Sequence, residues 1–226
     1  MKQPIANPIA TTRPLFIAIE GIDGSGKSTL AHALYDFFTQ HHYPVLLTKE
    51  PGGSSLGNIV RSLVNNTRIK RCPQAEFLLF AADRAQHFHE IIVPAYTNGT
   101  VIISDRCADS SLVYQGYAQG VELSQLQAIN TWIMNDIYPT ITLYLNISLE
   151  TALKRLERRN DKRTPFENNQ FLTKVINGFN ELYKNRSDVY TINAEQPSST
   201  VINESITALY EMGTLTKHTS VGAPLP

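Results

Sequence analysis

A glycine-rich stretch carries the residues of this sequence that are best suited to chemistry. Residues 21–28 read GIDGSGKS, with Lys27 and Ser28 directly after the last glycine. Glycines let backbone N–H groups turn inward around an anion, and the following helix adds the positive end of its dipole. The spacing GxxxxGK[ST] therefore predicts a phosphate-binding loop. Lys27 is expected to reach the outer phosphates of a nucleoside triphosphate, and Ser28 is expected to ligate Mg²⁺.

The triphosphate is predicted to be ATP. Proteins that switch on GTP usually read guanine with an NKxD motif, which this sequence lacks. The residues expected to bind ATP run from the loop into the helix and are Gly21, Ile22, Asp23, Gly24, Ser25, Gly26, Lys27, Ser28 and Thr29. The loop by itself does not identify the molecule that receives the phosphate.

Two further pairs of residues have spacings that suit an acceptor nucleotide. Asp105 and Arg106 follow the β-branched run TVIIS, and the planar guanidinium of an arginine matches a phosphate. Phe80 and Arg84 are four residues apart, so they share one face of a helix. A ring and a guanidinium on one face can stack on a base and hydrogen-bond its edge. The alternative for Asp105 and Arg106 is an ion pair at the end of a strand. The alternative for the other pair is that Phe80 belongs to the core and Arg84 to the surface.

Hydrophobic periodicity predicts strands that alternate with helices. The strands are expected at Leu15–Glu20, Pro44–Lys49, Thr100–Ser104, Ile141–Asn146 and Val189–Ile192. The helices are expected at Ser28–Gln40, Leu56–Val64, Ala75–Val93 with its end at Pro94, Ser124–Asp136, Leu149–Arg159, Gln170–Asn185 and Ser199–Tyr210. This alternation predicts a three-layer α/β fold with a five-stranded parallel sheet, whose site lies at the carboxyl ends of the strands.

Composition excludes several classes of protein. The 226 residues are 42% hydrophobic, and 20 basic residues balance 20 acidic ones, whereas a general nucleic-acid binder usually has a basic excess. No apolar run has the length of a membrane span or signal peptide, and Cys72 and Cys107 lack disulfide or zinc spacing. We therefore expect a cytoplasmic protein with no nucleic-acid or membrane partner. Residues 1–14 are expected to be a loose leader, 15–212 one domain and 213–226 a flexible tail.

Five more segments are informative together with the glycine loop. They are TKEPGG at Thr48–Gly53, LGNIVRSLV at Leu56–Val64, EFLLFAADRAQHF at Glu76–Phe88, ISDRCADSSLVYQG at Ile103–Gly116 and YPTITLYLNIS at Tyr138–Ser148. With EGIDGSGKST, their order and spacing resemble the thymidylate kinase family over roughly 16–209. The resemblance implies a P-loop nucleoside monophosphate kinase fold and transfer of the ATP γ-phosphoryl group to dTMP, giving dTDP and ADP. It also implies Mg²⁺, a homodimer and a short lid.

The resemblance further implies the roles of individual acceptor-side residues. Phe80 and Arg84 would stack on thymine and contact its carbonyl, while Arg61 and Arg106 would hold the acceptor phosphate. Asp105 would lie close to Mg²⁺ and the reacting oxygens. The other implied substrate contacts are Asp23 at the sugar 3′-hydroxyl, Glu50 as an acid near the acceptor, Ser111 and Gln115 at the thymine edge, and Tyr114 against the 2′ position.

A further arginine is expected to cover the transition state. Some family members carry it in the loop directly after the aspartate, where this chain has Gly24; others carry it in a lid. The basic run KRLERRNDKR begins the candidate lid, at 154–169. The predicted catalytic residues are Lys27, Asp105, Arg106, Arg158 and Arg163. A solvated, salt-bridged helix face is the alternative for the run. The sequence departs from the family pattern at Lys162, Pro165, Cys107 and Asn146.

Two other functions remain open on the sequence alone. A kinase for another nucleotide or for a deoxynucleoside would share the phosphate-binding loop, although a nucleoside kinase needs no pair of arginines for an acceptor phosphate. A non-catalytic nucleotide-binding switch would not need Lys27, Ser28, Asp105 and a basic lid together. ATP consumption that depends on an added nucleotide would distinguish a kinase from a switch.

Overall fold

The fold is a five-stranded parallel sheet with helices on both faces. The computed structural model describes residues 14–158 and 169–215. The strand order is β2-β3-β1-β4-β5, and every neighbouring pair is parallel. The strands are β1 at Phe16–Glu20, β2 at Val45–Lys49, β3 at Val101–Asp105, β4 at Ile141–Asn146 and β5 at Val189–Asn193. The predicted α/β fold with a parallel sheet is confirmed.

The helices begin or end within three residues of their predicted bounds, with the exceptions given below. They are α1 at Lys27–Gln40, α2 at Ser55–Asn65, α3 at Pro73–His87, α4 at Val93–Thr97, α5 at Ala108–Ser111, α6 at Leu123–Met134, α7 at Leu149–Arg158, α8 at Asn169–Tyr183 and α9 at Ser198–Glu211. π-helical segments at Phe88–Ile92 and Leu112–Ala118 follow α3 and α5. None of the helices in the described residues is long and apolar enough to cross a membrane.

Alternating side chains of β1 divide the core between the two faces of the sheet. Ile17 and Ile19 pack in a cluster with α1, α8 and α9, whereas Phe16 and Ala18 pack on the other face. This division follows from the two-residue period of a strand, which sends neighbouring side chains to opposite faces. All five residues of β1 are buried, as expected for a central strand covered by helices on both sides. The glycine loop therefore extends from the most protected strand.

One expected helix end is wrong, and one helical segment was not predicted. Pro94 does not end the long helix, because the π-helical segment places it in the first turn of α4, where a backbone N–H has no intrahelical partner. The helical segment 108–118 was not predicted. The buried apolar face of α3 is formed by Phe77 and Ala81, whereas Leu78 is 56% exposed.

Parts of the predicted leader, lid and tail lie outside the described residues. These parts are 1–13, 159–168 and 216–226, and they include Arg163, Lys162 and Pro165. In the described start of the predicted tail, Leu215 is buried, and its N–H donates to the carbonyl of Leu209. The chain thus stays packed against the domain as far as Leu215.

Candidate active site

The glycine loop connects β1 to α1 with the backbone geometry that its glycines allow. Gly21, Gly24 and Gly26 have φ angles of 146°, 85° and 101°, which residues with a Cβ rarely adopt. Lys27 is buried, and its Nζ donates to the carbonyl of Ile22 at 2.9 Å, so the side chain folds back over the loop. Burial and the neighbouring charge of Arg106 lower the pKa of Lys27, while nearby carboxylates oppose that change.

Two oxygen-bearing side chains meet beside the loop. Ser28, in the first turn of α1, donates its hydroxyl to Oδ2 of Asp105, at the end of β3, at 2.6 Å. These are hard oxygen ligands of the kind that Mg²⁺ prefers, so the donor set fits this ion. Within the described residues, no group of three or more His, Cys, Asp or Glu side chains forms an alternative metal cluster.

Arg106 crosses from β3 to the glycine loop. Its Nη1 donates to the carbonyl of Gly21 at 3.0 Å and to the hydroxyl of Ser110 at 3.1 Å, and its Nη2 pairs with Asp23. The guanidinium carbon lies 5.3 Å from the ring centre of Tyr114. Burial alone would raise the pKa of Asp23, but Arg106 and Lys27 lower it to about 2. Asp23 is thus held as an anion beside two cations.

Arg84 lies in a buried polar network behind the same region. Its Nε donates to Oε2 of Glu50 at 2.9 Å, its Nη1 to Oδ1 of Asn130 at 2.7 Å and its Nη2 to the hydroxyl of Ser111 at 3.1 Å. Glu50 also contacts Nδ1 of His87 at 3.0 Å. Burial would raise the pKa of Glu50, but Arg84 and His87 hold it below its ordinary value.

Asn130 and His87 were missed by the sequence reasoning. Neither belongs to a local motif with Glu50, and their roles depend on the packing of α3 against α6 and β2. For His87, a signal in the sequence was available. Its position three residues after Arg84 on the same helix was the available signal, because that spacing places both side chains on one face.

A cavity of about 520 Å³ brings the predicted acceptor residues together. All of the predicted substrate-binding residues line it: Asp23, Glu50, Arg61, Phe80, Arg84, Arg106, Ser111, Tyr114 and Gln115. Lys27, Ser28 and Asp105 line it as well. Within this set, Arg61 is exposed and donates to the carbonyl of Pro51 at 3.0 Å, whereas Gln115 is buried and donates to Glu76 at 2.9 Å.

A second cavity of about 540 Å³ lies on the other side of the glycine loop. Gly24 and Gly26 line both cavities, while Ser25 and Thr29 line only this one. Its far wall is the turn between β5 and α9, residues 194–198, which the sequence reasoning did not assign. The available signal was the place of this turn in the chain, because it follows the carboxyl end of β5, where ligands bind in a parallel sheet.

Helix α7 is attached to that turn. Arg155 donates to the carbonyl of Ala194 at 2.8 Å. Glu195 accepts the backbone N–H of Ser148 at 2.8 Å and the hydroxyl of Thr151 at 2.6 Å. These hydrogen bonds lower the pKa of Glu195 to about 2. The first turns of α7 are therefore tied to the wall of the second cavity.

Comparison with known proteins agrees with this geometry. The sequence model of the thymidylate kinase family matches residues 19–206. A thymidylate kinase from Finegoldia magna is 36% identical over 197 residues, which cover 86% of this chain and 97% of the relative. The crystal structure of a thymidylate kinase from Ehrlichia chaffeensis superposes with a TM-score of 0.71 at 32% identity, covering 86% of this chain and 98% of that one.

The chain belongs to the thymidylate kinase family. The activity expected from the motifs, phosphorylation of dTMP with ATP, is confirmed by this membership. The nucleotide-binding switch and the kinases for other acceptors are not favoured.

The position where some thymidylate kinases carry a loop arginine is closed in this chain. A Cβ on Gly24 would lie 2.6 Å from the carbonyl oxygen of Ala152 in α7, and the φ of Gly24 is 85°. No side chain fits there unless α7 moves. Of the predicted lid arginines, Arg158 is exposed at the end of α7 and is not among the described residues that line either cavity. Leu156 lines the first cavity instead.

Proposed function

We propose that the chain transfers the γ-phosphoryl group of ATP to dTMP across the glycine loop, giving dTDP and ADP. The observation that carries this proposal is the position of the loop, because Gly24 and Gly26 line both cavities. Phosphoryl transfer requires the attacking and leaving oxygens to lie roughly in line on either side of the phosphorus. With dTMP in the first cavity, where most of the charged side chains lie, and ATP in the second cavity, the loop would hold the phosphoryl group that is transferred.

The acceptor cavity has groups that suit both ends of dTMP. Arg106 and the exposed Arg61 are placed to bind its phosphate. Arg84 directs its N–H groups at Glu50, Asn130, Ser111 and, at 3.5 Å, the carbonyl of Cys107. A guanidinium has five N–H donors, so these four contacts within the described residues leave one for a carbonyl of thymine.

The remaining acceptor contacts follow from the same cavity. Phe80 is half-buried and can stack on the base, a contact worth about 1–3 kcal/mol. Asp23 is proposed to contact the 3′-hydroxyl, and Tyr114 to crowd the 2′ position in favour of deoxyribose. Ser111 and Gln115 are proposed to contact the thymine edge.

On the donor side, the backbone of the glycine loop and Lys27 are proposed to hold the phosphates of ATP. Ser28 and Asp105 would hold Mg²⁺, which would neutralise charge on the phosphate oxygens. Arg158 and Arg163 remain the proposed lid arginines, in a lid at 154–169. Their positive charge would stabilise the transferred phosphoryl group, and the lid would exclude water.

A homodimer is proposed through one side of the domain. Helix α3 packs between α2 and α6, and these three helices carry exposed apolar side chains. Ile59 is 60% exposed, Leu78 56% and Trp132 79%. An apolar set of this kind on adjacent helices is typical of a protein interface. Sedimentation should give a dimer for the wild type and a monomer for Leu78→Asp.

The function is tested by ADP release with ATP and Mg²⁺ against dTMP, dUMP, UMP, dCMP, AMP and thymidine. We expect turnover mainly with dTMP, with dUMP as the strongest competitor, because the thymine methyl offers only about 1–3 kcal/mol of discrimination. Comparable rates with several monophosphates would contradict the base-reading roles of Phe80 and Arg84. Absence of turnover with every acceptor would contradict the proposal as a whole.

A further inference from the structure

A buried carboxylate at the end of β1 has no role in the reaction described so far. Glu20 lies directly before the glycine loop and is completely shielded from solvent. Its Oε1 accepts the backbone N–H of Cys107 at 2.7 Å, and its Oε2 accepts the hydroxyl of Ser110 at 2.6 Å. An ionisable group is costly to bury, so its contacts need an explanation. Both contacts lead to the segment that carries Arg106.

The backbone at Arg106 needs support of this kind. Its φ angle is 76°, in the left-handed region that is unfavourable for a residue with a Cβ. The N–H of Arg106 donates to the carbonyl of Ile19 at 3.0 Å, and its carbonyl accepts the hydroxyl of Ser104 at 2.7 Å. The next N–H along the chain, that of Cys107, is the one that Glu20 accepts. Glu20 thus holds in place the peptide bond that follows Arg106, the residue with the unfavourable φ angle.

Glu20 also reaches the guanidinium of Arg106 through Ser110. The Ser110 hydroxyl donates to Glu20 and accepts from Nη1 of Arg106 at 3.1 Å. A hydroxyl has one donor, so its bond to the carboxylate leaves its lone pairs for the arginine. The same Nη1 donates to the carbonyl of Gly21, the residue after Glu20. The carboxylate therefore controls both the backbone and the side-chain direction of Arg106.

We propose that Glu20 is a positioning residue for the acceptor phosphate, which it serves by holding Arg106 in its left-handed turn and by orienting the guanidinium through Ser110. This inference rests on the proposed role of Arg106 in binding the phosphate of dTMP. Glu20 touches no substrate itself. Its replacement should therefore weaken binding of a ligand that carries the phosphate and leave binding of the nucleoside unchanged. A buried acid that only stabilised the fold would not separate the two ligands.

The test is titration calorimetry of dTMP and of thymidine, both without ATP, on the full chain. In Glu20→Gln, the amide oxygen can still accept the Cys107 N–H, while the charge and the acceptor for Ser110 are lost. In Ser110→Ala, the hydroxyl that links Glu20 to the guanidinium is lost, together with its hydrogen bonds to both groups. For both variants we expect about a tenfold loss of dTMP affinity and a change of less than about twofold for thymidine.

A matched control is Ser205→Ala in α9. Ser205 is also buried, and its hydroxyl donates to the carbonyl of Val201 at 2.7 Å, away from the cavity. It should change neither affinity. Equal losses for dTMP and thymidine in Glu20→Gln and Ser110→Ala, or no loss for either ligand, would overturn the inference. If Glu20→Gln does not fold, Ser110→Ala decides, because it keeps the bond from Cys107 to Glu20.

Arg106→Lys separates failure of this inference from failure of the proposed function. Lysine keeps the charge but lacks the planar fork that matches a phosphate. If Arg106→Lys lowers the ratio of dTMP to thymidine affinity and Glu20→Gln does not, the positioning role alone fails. If Arg106→Lys leaves that ratio at the wild-type value, the phosphate-binding role of Arg106 fails, and the role of Glu20 fails with it.

Discussion

The two sides of the glycine loop are built in different ways. On the acceptor side, Arg84 is 2% exposed and Glu50 is 6% exposed, and their ion pair is shielded from water. On the donor side, the described contacts are largely to backbone groups, such as the hydrogen bond from Arg155 to the carbonyl of Ala194. The ion pair between Lys154 and Glu150 on α7 is mostly exposed. One side is a buried side-chain network, and the other is an open cavity whose described contacts lie close to the protein surface.

This difference indicates where selectivity and turnover are decided. A buried charged network holds its shape before a ligand arrives, because every member is costly to leave unpaired. Exposed ion pairs contribute little, about 0–1 kcal/mol, and do not fix a geometry. We infer that dTMP recognition is present in the folded protein. On the donor side, the positive charge that stabilises the transferred phosphoryl group would be complete only when the lid arginines are in place.

The largest expected effect is the loss of a lid arginine. Arg163→Ala should lower kcat by about 10³-fold, with little change in KM for dTMP, because a transition-state arginine acts only on the transferred group. Steady-state kinetics would measure both constants. Lys174→Ala, which removes an exposed basic residue of α8 outside the lid, is the matched control and should leave kcat unchanged. An unchanged kcat in Arg163→Ala would move the role to Arg158 or another lid residue.

The next effect is on base recognition. Arg84→Ala should weaken dTMP binding about 100-fold and ATP binding by less than about twofold, because the lost donor faces only the acceptor cavity. It should also lower the free energy of unfolding by about 3–5 kcal/mol, since the buried Glu50 carboxylate loses its ion pair and keeps only its contact with His87. Calorimetry and denaturant unfolding would measure the two effects.

Adding Glu50→Gln to Arg84→Ala separates these two contributions. The double variant should regain part of the free energy of unfolding, because no buried carboxylate remains without its arginine, but it should not regain dTMP affinity. Equal losses of dTMP and ATP affinity in Arg84→Ala would contradict the base-reading role.

A smaller effect concerns the pH dependence of stability. Burial raises the pKa of Glu20 from 4.5 to about 7, although Arg106 opposes the increase. A carboxyl group with a raised pKa in the folded state stabilises the protein at low pH, and this contribution is lost as the pH rises through about 7. The stability of the wild type relative to Glu20→Gln should therefore fall between pH 5 and pH 8, by about 2–3 kcal/mol.

Glu195 on the donor side provides the contrasting control for that experiment. It is exposed, and hydrogen bonds from Ser148 and Thr151 lower its pKa to about 2. Its contribution is complete above its ordinary pKa and is lost only in acid, so the difference between the wild type and Glu195→Gln should be flat from pH 5 to pH 8. Equal slopes for the two variants would contradict the distinction between a buried and an open side.

The smallest effect tests the contact between α7 and the loop. Gly24→Ala and Gly99→Ala both place a Cβ on a residue with positive φ, but only the first meets a backbone oxygen at 2.6 Å. Gly99→Ala should cost about 1–2 kcal/mol in the free energy of unfolding. Gly24→Ala should cost about 1–3 kcal/mol more because of the clash with Ala152. If denaturant unfolding gave the same loss of unfolding free energy for both variants, α7 would have moved to accommodate the added carbon at no measurable cost.

The same contrast explains what the sequence could predict. Strands such as β4 were predicted with correct bounds because a continuous apolar run between polar turns is a local signal. The residues proposed to bind the acceptor were predicted because they lie in compact motifs, such as EPGG and DRCADSS, that resemble the thymidylate kinase family. Asn130, in contrast, is 46 residues from Arg84, and nothing in its own helix marks it as a partner. The π-helical segment at Phe88–Ile92, which precedes α4 and its Pro94, likewise has no local signature.

The central claim, that the acceptor site is complete in the folded protein, is tested most directly by titrating dTMP into the protein without ATP. The titration is then repeated with a non-hydrolysable ATP analogue and Mg²⁺. The account predicts that dTMP binds alone and that the analogue changes its affinity by less than about threefold. Binding of dTMP that appears only after the analogue is added would contradict the claim.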